Sequence, residues 1–524
     1  MLTGILPLVA RMHPGRPAFI DGEHTLTYAQ LFERASRLAA ALAELGLRPG
    51  ERVGLLGWPC PGLAEAEMAA VAVGAVPFSA FPQLATPEIT QIIEDADPAI
   101  LVYAPDAAPA AAAAGGRSLR QRICTEAGGL HANIDALLAE RAPLRAWHEP
   151  TDDDVAILIY TGGTTGRAKG VMHTHRSIGK WFLMRPPAGA GSAADDERAV
   201  LQNLAHITGQ HLLWTSILSG ATLVFPPRGP LRADVLVDLV ERHRVTSLSL
   251  QGGLLHDFTA RVGRNERAVR SLRTVSHGAA PVAPATLRHA ASVLAGAALG
   301  HGYGQTESGL LVSGFFVTAE LIARHPERLA SAGIPQAVAA FGQRPAEVRV
   351  VDPDGNEVPA GETGEVACRG EILMSGYWRD PEATAAVMRD GWLHTGDVGR
   401  FDADGWLHLV DRVKDMVIVG SSKVYCAEVE RVLDSYPRVA ESAVVGTPGR
   451  SGRGEEVTAV VVPQAGISLT LEGVRRFCRD KIAEFKIPTR LQVVSRLPRT
   501  PVDKIDKVKL REALAADHMR RLGT

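Results

Sequence analysis

Residues 155–170 read VAILIYTGGTTGRAKG, a continuous apolar run followed directly by a loop rich in glycine and threonine. An apolar run of this length, bounded by turn residues, is typical of a strand buried on both faces of a sheet. The glycines permit close backbone approach, and successive N–H groups in such a loop form an anion-binding concavity. The spacing is not GxxxxGK[ST], so the loop is not a P-loop. Its donors and Lys169 suit a polyphosphate; the alternative is a flexible surface loop.

Alternating helical and strand patterns extend outward from this stretch. Thr27 is predicted to cap a helix whose apolar residues recur at helical spacing, and a buried strand is predicted at 52–56. Further units follow to about residue 310, interrupted by an Ala- and Pro-rich segment at 104–116 that is predicted to be a surface loop. The alternation predicts parallel sheets with helices on both faces.

Two later sections follow different patterns. Short strands with turn signals from residue 347 to 369 predict a small barrel or an added sheet. The last part of the chain predicts a β-α-β-β-α-β order, which is a compact α+β module. We therefore predict an α/β protein with an N-terminal domain of layered β/α subdomains plus a small β-barrel at 1–411, and an α+β C-terminal domain at 412–524.

The bulk composition argues against several classes of protein. With 524 residues and a net charge of −2, the chain lacks the basic balance of a nucleic-acid-binding protein. It has no apolar run of about 18 residues that would span a membrane, and its first residues lack the positive start of a signal peptide. Five well-separated cysteines without a CxxC pair predict reduced thiols and a cytoplasmic location.

Lysine is rare in this chain. Nine of the 56 basic residues are Lys, and seven of those nine lie after residue 411. Because an ammonium is a compact point charge that a guanidinium does not always replace, each Lys is a candidate for a specific role. The alternative is that codon bias removed lysine generally and left a few at random.

Further motifs recur in a fixed order along the chain. They are SHGAAP at 276–281, YGQTE at 303–307, the segment from GEV at 364 to PEAT at 384, TGD at 395–397, DRVKD at 411–415 and LPRTPVDKI at 497–505. Together with the loop at 160–170, they resemble the adenylate-forming superfamily, which includes acyl-CoA synthetases, aryl-acid ligases, peptide-synthetase adenylation domains and firefly luciferase.

This resemblance implies a reaction in two steps. A carboxylic acid attacks ATP in the presence of Mg²⁺ to give acyl-AMP and pyrophosphate, and coenzyme A then accepts the acyl group. An acyl- or peptidyl-carrier-protein thiol or a partner enzyme is the alternative acceptor. A luciferase-like oxygenase and a non-catalytic nucleotide-binding protein are the other classes considered. The resemblance also implies a mobile C-terminal domain that turns about Lys414. The oligomeric state stays open, a homodimer included.

Roles at the site follow from the resemblance, residue by residue. Lys504 bridges the carboxylate and the α-phosphate, Thr306 donates to the α-phosphate, and Glu307 holds Mg²⁺. The nucleotide-binding residues implied are Thr161, Gly163, Thr164, Thr165, Gly166, Gly278, Ala279, Ala280, Tyr303 near the adenine, Gly304, and Asp397 with Arg412 at the ribose. Lys169 and His206 complete the catalytic set, and the acyl pocket implied comprises His206, Gly209, Gln251, Gly252, His277, Gly278 and Gly302.

The sequence also departs from the family pattern. Ser421 and Cys426 replace a usual Gly and Pro in the hairpin after the hinge, and Asp503 precedes Lys504 where Gly is usual. These changes bear on the thioester step more than on adenylation. In the acyl pocket, Gln251 introduces a polar side chain, so we predict a medium-sized or ring-containing acid with some polarity. His173 and His175 are predicted to be loop residues, because no metal-ligand spacing surrounds them.

Overall fold

The strand Val155–Thr161 lies inside a seven-stranded sheet of the computed structural model. Ile157 and Ile159 pack into a core shared with a second large sheet, whereas Leu158 and Tyr160 pack into a core on the opposite face. The strand is therefore buried on both faces, as its apolar run predicts. The structure describes residues 1–128, 131–139, 141–161, 168–182, 196–251, 253–263, 266–278, 282, 284–335, 346–412, 416–420, 422–449, 454–498, 507 and 510–514.

Two large sheets form the N-terminal part of the molecule. In spatial order, the first contains Gly376–Tyr377, Lys169–Thr174, Val155–Thr161, Val76–Ala80, Arg52–Leu56, Ile100–Tyr103 and Gln121–Cys124. The second, of eight strands, contains Ser313–Phe316, Ala298–Tyr303, Thr274–Gly278, Ser247–Gln251, Arg198–Val200, Thr222–Phe225, Pro17–Asp21 and His24–Thr27. Most neighbouring strands in both sheets run parallel, which agrees with the predicted β/α alternation.

Helices cover these sheets in three layers. The core shared by the two sheets holds Ile5–Met12, Tyr28–Glu44, Pro61–Val73, Ile134–Leu138, His175–Trp181 and Ile207–Ser219. Thr86–Ala96 and Ala108–Ala113 cover the outer face of the seven-stranded sheet. Ala233–His243, Leu254–Val262, Pro284–Val293 and Ala319–Arg324 pack on the outer face of the eight-stranded sheet.

Local sequence signals account for where several helices begin. The Thr27 hydroxyl accepts from the Gln30 N–H while the Gln30 side chain accepts from the Thr27 N–H, so the predicted cap is confirmed as a capping box. The prediction of a loop throughout 104–116 is wrong, because the segment contains the helix Ala108–Ala113. Alanine has a high helix propensity, and Ala110 and Ala111 bury against the sheet.

A five-stranded sheet follows in the section where a barrel or an added sheet is predicted. Its strands are Glu347–Val351, Gly364–Arg369, Met388–Arg389, Trp392–Phe401 and Leu407–Arg412, with the helix Pro381–Val387 preceding the third. The long strand Trp392–Phe401 pairs with three neighbours and brings Asp397 to the side of the larger sheets.

The C-terminal module begins with the strand Met416–Val419. It contains the hairpin partner Ser422–Tyr425, the helix Cys426–Asp434, the strands Val439–Pro448 and Glu455–Pro463, the helix Leu471–Cys478 and the strand Arg490–Val493. The second helix ends at Cys478, and Glu484–Lys486 form a separate 3₁₀ turn. The boundary between residues 411 and 412 stays a prediction. Among the described helices, none combines the length and apolarity needed to cross a membrane.

Candidate active site

A cavity of about 1540 Å³ opens where both large sheets, the five-stranded sheet and the C-terminal module meet. The carboxyl ends of parallel strands are the usual binding edge of an α/β sheet, and Val155–Thr161 and Ser247–Gln251 both end at this cavity. Predicted site residues that line it are Thr161, Lys169, His206, Gly209, Gln251, Thr306, Glu307 and Asp397. The fold therefore gathers residues that are up to 236 positions apart in sequence.

The glycine- and threonine-rich loop begins and ends at this cavity. Thr161 and Lys169 are register partners across an antiparallel strand pair, so they hold the two ends of the loop together. The Lys169 Nζ lies 4.8 Å from the centroid of the Tyr377 ring, which is within range for a cation–π contact. The predicted phosphate-binding residues Gly163, Thr164, Thr165 and Gly166 lie outside the described part of the chain.

A buried histidine supports the backbone at Thr306. The Nε2 of His173 donates to the Thr306 carbonyl oxygen at 2.9 Å, and its Nδ1 lies 3.3 Å from the Ser177 hydroxyl. Burial lowers the pKa of His173 to about 4, so the ring is neutral at physiological pH. The prediction that His173 and His175 lie in a loop is wrong: His173 is in the strand Lys169–Thr174, and His175 begins the following helix.

The carboxylate of Glu307 is oriented by a tyrosine. The Tyr377 hydroxyl donates to Glu307 Oε1 at 3.0 Å, and the Met374 N–H donates to the Glu307 carbonyl at 2.9 Å. Tyr377 therefore contacts both Glu307 and Lys169, the two oppositely charged groups on this wall of the cavity. The described part of the chain holds no group of three or more acidic, histidine or cysteine side chains suited to a metal ion.

The TGD segment places Asp397 in a network of donors. The Tyr303 hydroxyl and the Gln305 amide each donate to Asp397 Oδ2 at 2.8 Å, and Gln305 also donates to the Thr395 carbonyl. Burial and the adjacent carboxylate of Asp397 raise the pKa of Tyr303 well above its ordinary value, so the phenol keeps its proton. Asp397 lies opposite Arg412 in the strand register.

The end of the cavity where the acyl pocket is predicted holds a row of polar side chains, which we call the polar relay. The Gln251 amide contacts the Thr208 hydroxyl, which in turn contacts His206 Nδ1 at the start of the helix Ile207–Ser219. Gly209 sits so tightly against this loop that a Cβ there would lie 1.3 Å from the Asn203 carbonyl oxygen. No side chain fits at this position, which explains the glycine.

Three other predicted pocket residues stand away from the cavity lining. His277 is buried, and its Nδ1 lies 3.0 Å from Nδ1 of His301, with the rings stacked at 5.2 Å. Burial and the neighbouring His277 lower the pKa of His301 to about 3. Gly278 and Gly302 approach each other closely, since a Cβ at Gly278 would lie 2.8 Å from the Gly302 carbonyl oxygen. His277, Gly278 and Gly302 do not line the cavity, and the predicted nucleotide-binding residues Tyr303 and Gly304 do not line it either.

The C-terminal module closes one side of the cavity. Val419, Gly420, Ser422, Glu428, Phe485 and Lys486 line it together with residues of the N-terminal part. The Gly253 N–H donates to the Gly420 carbonyl at 3.4 Å, which joins the two parts at the cavity rim. The remaining predicted site residues, Lys504, Lys414, Gly252, Ala279 and Ala280, lie outside the described residues, as does Ser421.

Comparison with known proteins places this architecture in a family. Residues 7–378 match the family model for an AMP-binding enzyme, and residues 428–504 match that for the AMP-binding enzyme C-terminal domain. The chain is 37% identical to a feruloyl-CoA synthase of Amycolatopsis over 96% of both chains. It is 30% identical to a fatty acid–[acyl-carrier-protein] ligase of Streptomyces coeruleorubidus over 98% of this chain and 96% of that one.

Solved structures agree with this placement. The amide bond synthetase McbA from Marinactinospora thermotolerans aligns with a TM-score of 0.85 at 32% identity, covering 97% of this chain and 99% of that one. A double mutant of the o-succinylbenzoate CoA synthetase of Bacillus subtilis, bound with a CoA product analogue, aligns with a TM-score of 0.82 at 26% identity over 97% and 98% of the two chains. The same enzyme in complex with AMP aligns with a TM-score of 0.67 at 27% identity over 97% of each chain.

The fold and the site therefore define an enzyme that adenylates a carboxylic acid, and the chain belongs to the AMP-binding enzyme family. Within this family it is an AMP-forming acid–thiol ligase. It activates a carboxylic acid with ATP as an acyl-AMP, releases pyrophosphate, and forms the thioester with coenzyme A.

Proposed function

We propose that the acid is an aromatic one whose ring carries a hydrogen-bonding substituent, as in a hydroxycinnamate. The polar relay of Gln251, Thr208 and His206 supports this proposal, because it faces the acyl end of the cavity among apolar residues such as Leu212 and Leu254. A site built to hydrogen-bond a substrate group rejects analogues that lack that group. The relative at 37% identity is a feruloyl-CoA synthase, which agrees with this class.

We assign the following roles in adenylation. Thr161, Lys169 and Thr306 lie along one side of the cavity and bind the phosphates, while Lys504 bridges the attacking carboxylate and the α-phosphate. Two like charges meet in this step, so a preorganised cation contributes on the order of 3 kcal/mol of transition-state stabilisation. His173 holds the Thr306 backbone in place through a hydrogen bond from its neutral ring.

Asp397 binds the ribose hydroxyls in this proposal. The donors from Tyr303 and Gln305 both reach Oδ2, which fixes the plane of the carboxylate before the nucleotide arrives. Preorganisation of this kind lowers the ordering cost of binding. The role that we propose for Tyr303 changes accordingly: its hydroxyl positions Asp397, while its ring does not line the cavity.

The site also fits Mg²⁺. Glu307 supplies a hard carboxylate oxygen at the cavity wall, and the hydroxyl of Tyr377 orients it. Mg²⁺ keeps several waters and takes most other ligands from phosphates, so a single protein carboxylate suits a phosphate-bound ion better than a multidentate protein site. The ion would neutralise the charge on the departing pyrophosphate.

The orientation of the C-terminal module corresponds to the thioester step. Over 97% of this chain, the same Bacillus enzyme aligns with a TM-score of 0.82 when bound with a CoA product analogue and 0.67 in complex with AMP. Because the sequence identities are nearly equal, we attribute this difference in TM-score to the arrangement of the parts and not to their folds. Adenylation then requires the module to turn about Lys414 and bring Lys504 to the cavity.

Two relatives suggest other acceptors. One is an amide bond synthetase and another is a fatty acid–[acyl-carrier-protein] ligase. In this chain, the buried Cys426 replaces the proline that follows the hairpin. An amine or a carrier-protein thiol is therefore the second candidate acceptor for the same acyl-AMP.

The test is exchange of labelled pyrophosphate into ATP with Mg²⁺, using ferulate, p-coumarate, unsubstituted cinnamate and octanoate. We expect exchange with the hydroxylated cinnamates first, and conversion of each active acid to its CoA thioester. Exchange with octanoate alone would contradict the proposed acid class. Exchange of pyrophosphate without formation of a CoA thioester would indicate that the acceptor is an amine or a carrier-protein thiol.

A further inference from the structure

A buried cluster of charges joins the C-terminal module to the N-terminal part. The Lys486 Nζ lies 2.6 Å from Glu88 Oε1 and 2.6 Å from Glu428 Oε1. The side chains of Lys486, Glu88 and Glu428 are 7%, 11% and 12% exposed, respectively, so all three are largely removed from water. We call these three residues the Lys486 cluster.

Only one of its two contacts crosses between the two parts of the molecule. Glu428, in the helix Cys426–Asp434, belongs to the same module as Lys486 and therefore moves with it. Glu88, in the helix Thr86–Ala96, stays with the N-terminal part. Rotation of the module thus breaks the contact between Lys486 and Glu88 and keeps the one between Lys486 and Glu428.

The surroundings of the cluster make this contact specific to one orientation. The Phe485 ring packs edge-on against Phe81 at 6.2 Å, next to the cluster and across the same boundary. Both Lys486 and Phe485 line the cavity, as does Glu88, so the boundary contact forms part of the cavity wall. The arrangement that buries the charges is the same one that closes the cavity.

Two neighbouring carboxylates of the C-terminal module have other partners. Glu484 pairs with Arg475 at 2.9 Å, and Glu430 pairs with Lys507 at 2.7 Å. Burial raises the pKa of Glu428 to about 7, which agrees with two carboxylates sharing one ammonium. Lys486 is also one of nine lysines in a chain with 56 basic residues, at a place where a compact charge fits between two carboxylates.

We propose that Lys486 is a positioning residue which, through Glu88, holds the C-terminal module in its thioester-forming orientation and so sets the balance between the two half-reactions. This inference rests on the proposed assignment of the present orientation to the thioester step. A buried charge that loses one partner is strongly disfavoured. Substitution of Lys486 therefore removes the preference for this orientation without touching the groups that perform adenylation.

The first experiment compares Lys486→Met with the wild type in both half-reactions. We expect pyrophosphate exchange to stay within about twofold, while the rate of thioester formation from preformed acyl-AMP falls about tenfold or more. Lys481→Met is the matched control, because Lys481 lies over the Phe477 ring inside the module and its loss should change neither rate.

A double-mutant cycle isolates the contact that crosses the boundary. Glu88→Gln should also slow thioester formation, while its amide oxygen still accepts from the Ala85 N–H as the carboxylate does now. The double variant should be no slower than Lys486→Met alone, because both changes remove one interaction. Independent, multiplying effects of the two substitutions would overturn the proposal, and so would an equal fall in both half-reactions.

A readout independent of activity separates this inference from the proposed function. Hydrogen exchange in the ligand-free protein should show that Lys486→Met lowers protection of both Thr86–Ala96 and Glu484–Lys486, whereas Lys481→Met does not. If no acid supports exchange of pyrophosphate, the proposed function fails, and the hydrogen-exchange result still decides whether the contact holds the module. Unchanged protection in Lys486→Met would overturn the inference.

Discussion

At the scale of single residues, the groups that touch the cavity depend on side chains just outside it. His173 is the strongest case, because a neutral imidazole buried behind the site donates to the carbonyl of Thr306. This contact fixes the backbone of a residue assigned to the α-phosphate. Removing the donor takes one of two hydrogen bonds from this carbonyl, which also accepts from the Gly309 N–H at 3.1 Å, and costs about 1 kcal/mol.

His173→Phe tests this support. In the wild type, the His173 ring packs edge-on against Trp181 with the ring centroids 5.1 Å apart. The phenyl ring of the variant keeps this packing but lacks the N–H donor. We expect pyrophosphate exchange at saturating ATP to fall about 10- to 100-fold, because Thr306 is displaced in the transition state. His175→Phe is the control, since His175 is also buried but contacts the Leu2 N–H. Equal losses in both variants would show a general packing effect.

Gln251 is the residue that we expect to discriminate among acids. Gln251→Leu removes the donor to Thr208 and should lower kcat/KM for ferulate about tenfold while leaving that for unsubstituted cinnamate unchanged or higher. Steady-state rates of thioester formation with both acids give the ratio of the two kcat/KM values. A uniform fall for the two acids would mean that Gln251 shapes the pocket without reading the ring substituent.

At the scale of elements, a buried carboxyl group joins two inner helices. Glu67, in Pro61–Val73, accepts from the Gln210 amide at 3.1 Å and from the Trp214 indole at 3.0 Å, both in Ile207–Ser219. Gln210 also donates to the Leu204 carbonyl, which precedes the acyl-site residue His206. Burial raises the pKa of Glu67 from 4.5 to about 7, because it removes the charged form from water.

This pKa predicts how stability depends on pH. Between pH 4.5 and 7 the folded protein keeps a proton on Glu67 that the unfolded chain has released. The free energy of unfolding therefore falls as pH rises through this window, by about 3 kcal/mol in all. In urea unfolding, the free energy of unfolding of Glu67→Gln should not fall with pH in this window. Glu33→Gln, at an exposed helix position, should show the same fall as the wild type. Identical slopes in Glu67→Gln and the wild type would contradict the assignment.

The elements also show what the sequence could predict. The buried strand at 155–161, the Thr27 cap and the order of motifs follow from short-range patterns, so they were predictable. The contact between His173 and Thr306 spans 133 positions and has no local signature. The same holds for Glu67, whose partners lie 143 and 147 positions away. The alanines and prolines at 104–116 led to the prediction of a surface loop. Alanine also has a high helix propensity, and packing against the sheet favours the helix Ala108–Ala113.

At the scale of the whole molecule, one active site must serve two reactions. The cavity is lined by the N-terminal part and by the hairpin and 3₁₀ turn of the C-terminal module. The proposed mechanism requires Lys504 at this cavity in the first step. A residue that acts in one orientation only should matter for one half-reaction only. We therefore expect substitutions in the Lys486 cluster to slow thioester formation and substitution of Lys504 to slow adenylation.

The most direct test of this two-step mechanism uses Lys504→Ala in separate half-reactions. We predict that the variant loses at least about 100-fold in pyrophosphate exchange with ferulate, because the cation that bridges the carboxylate and the α-phosphate is gone. Supplied with chemically prepared feruloyl-AMP and coenzyme A, it should form the thioester at nearly the wild-type rate. Loss of both activities, or exchange at the wild-type rate, would contradict the mechanism.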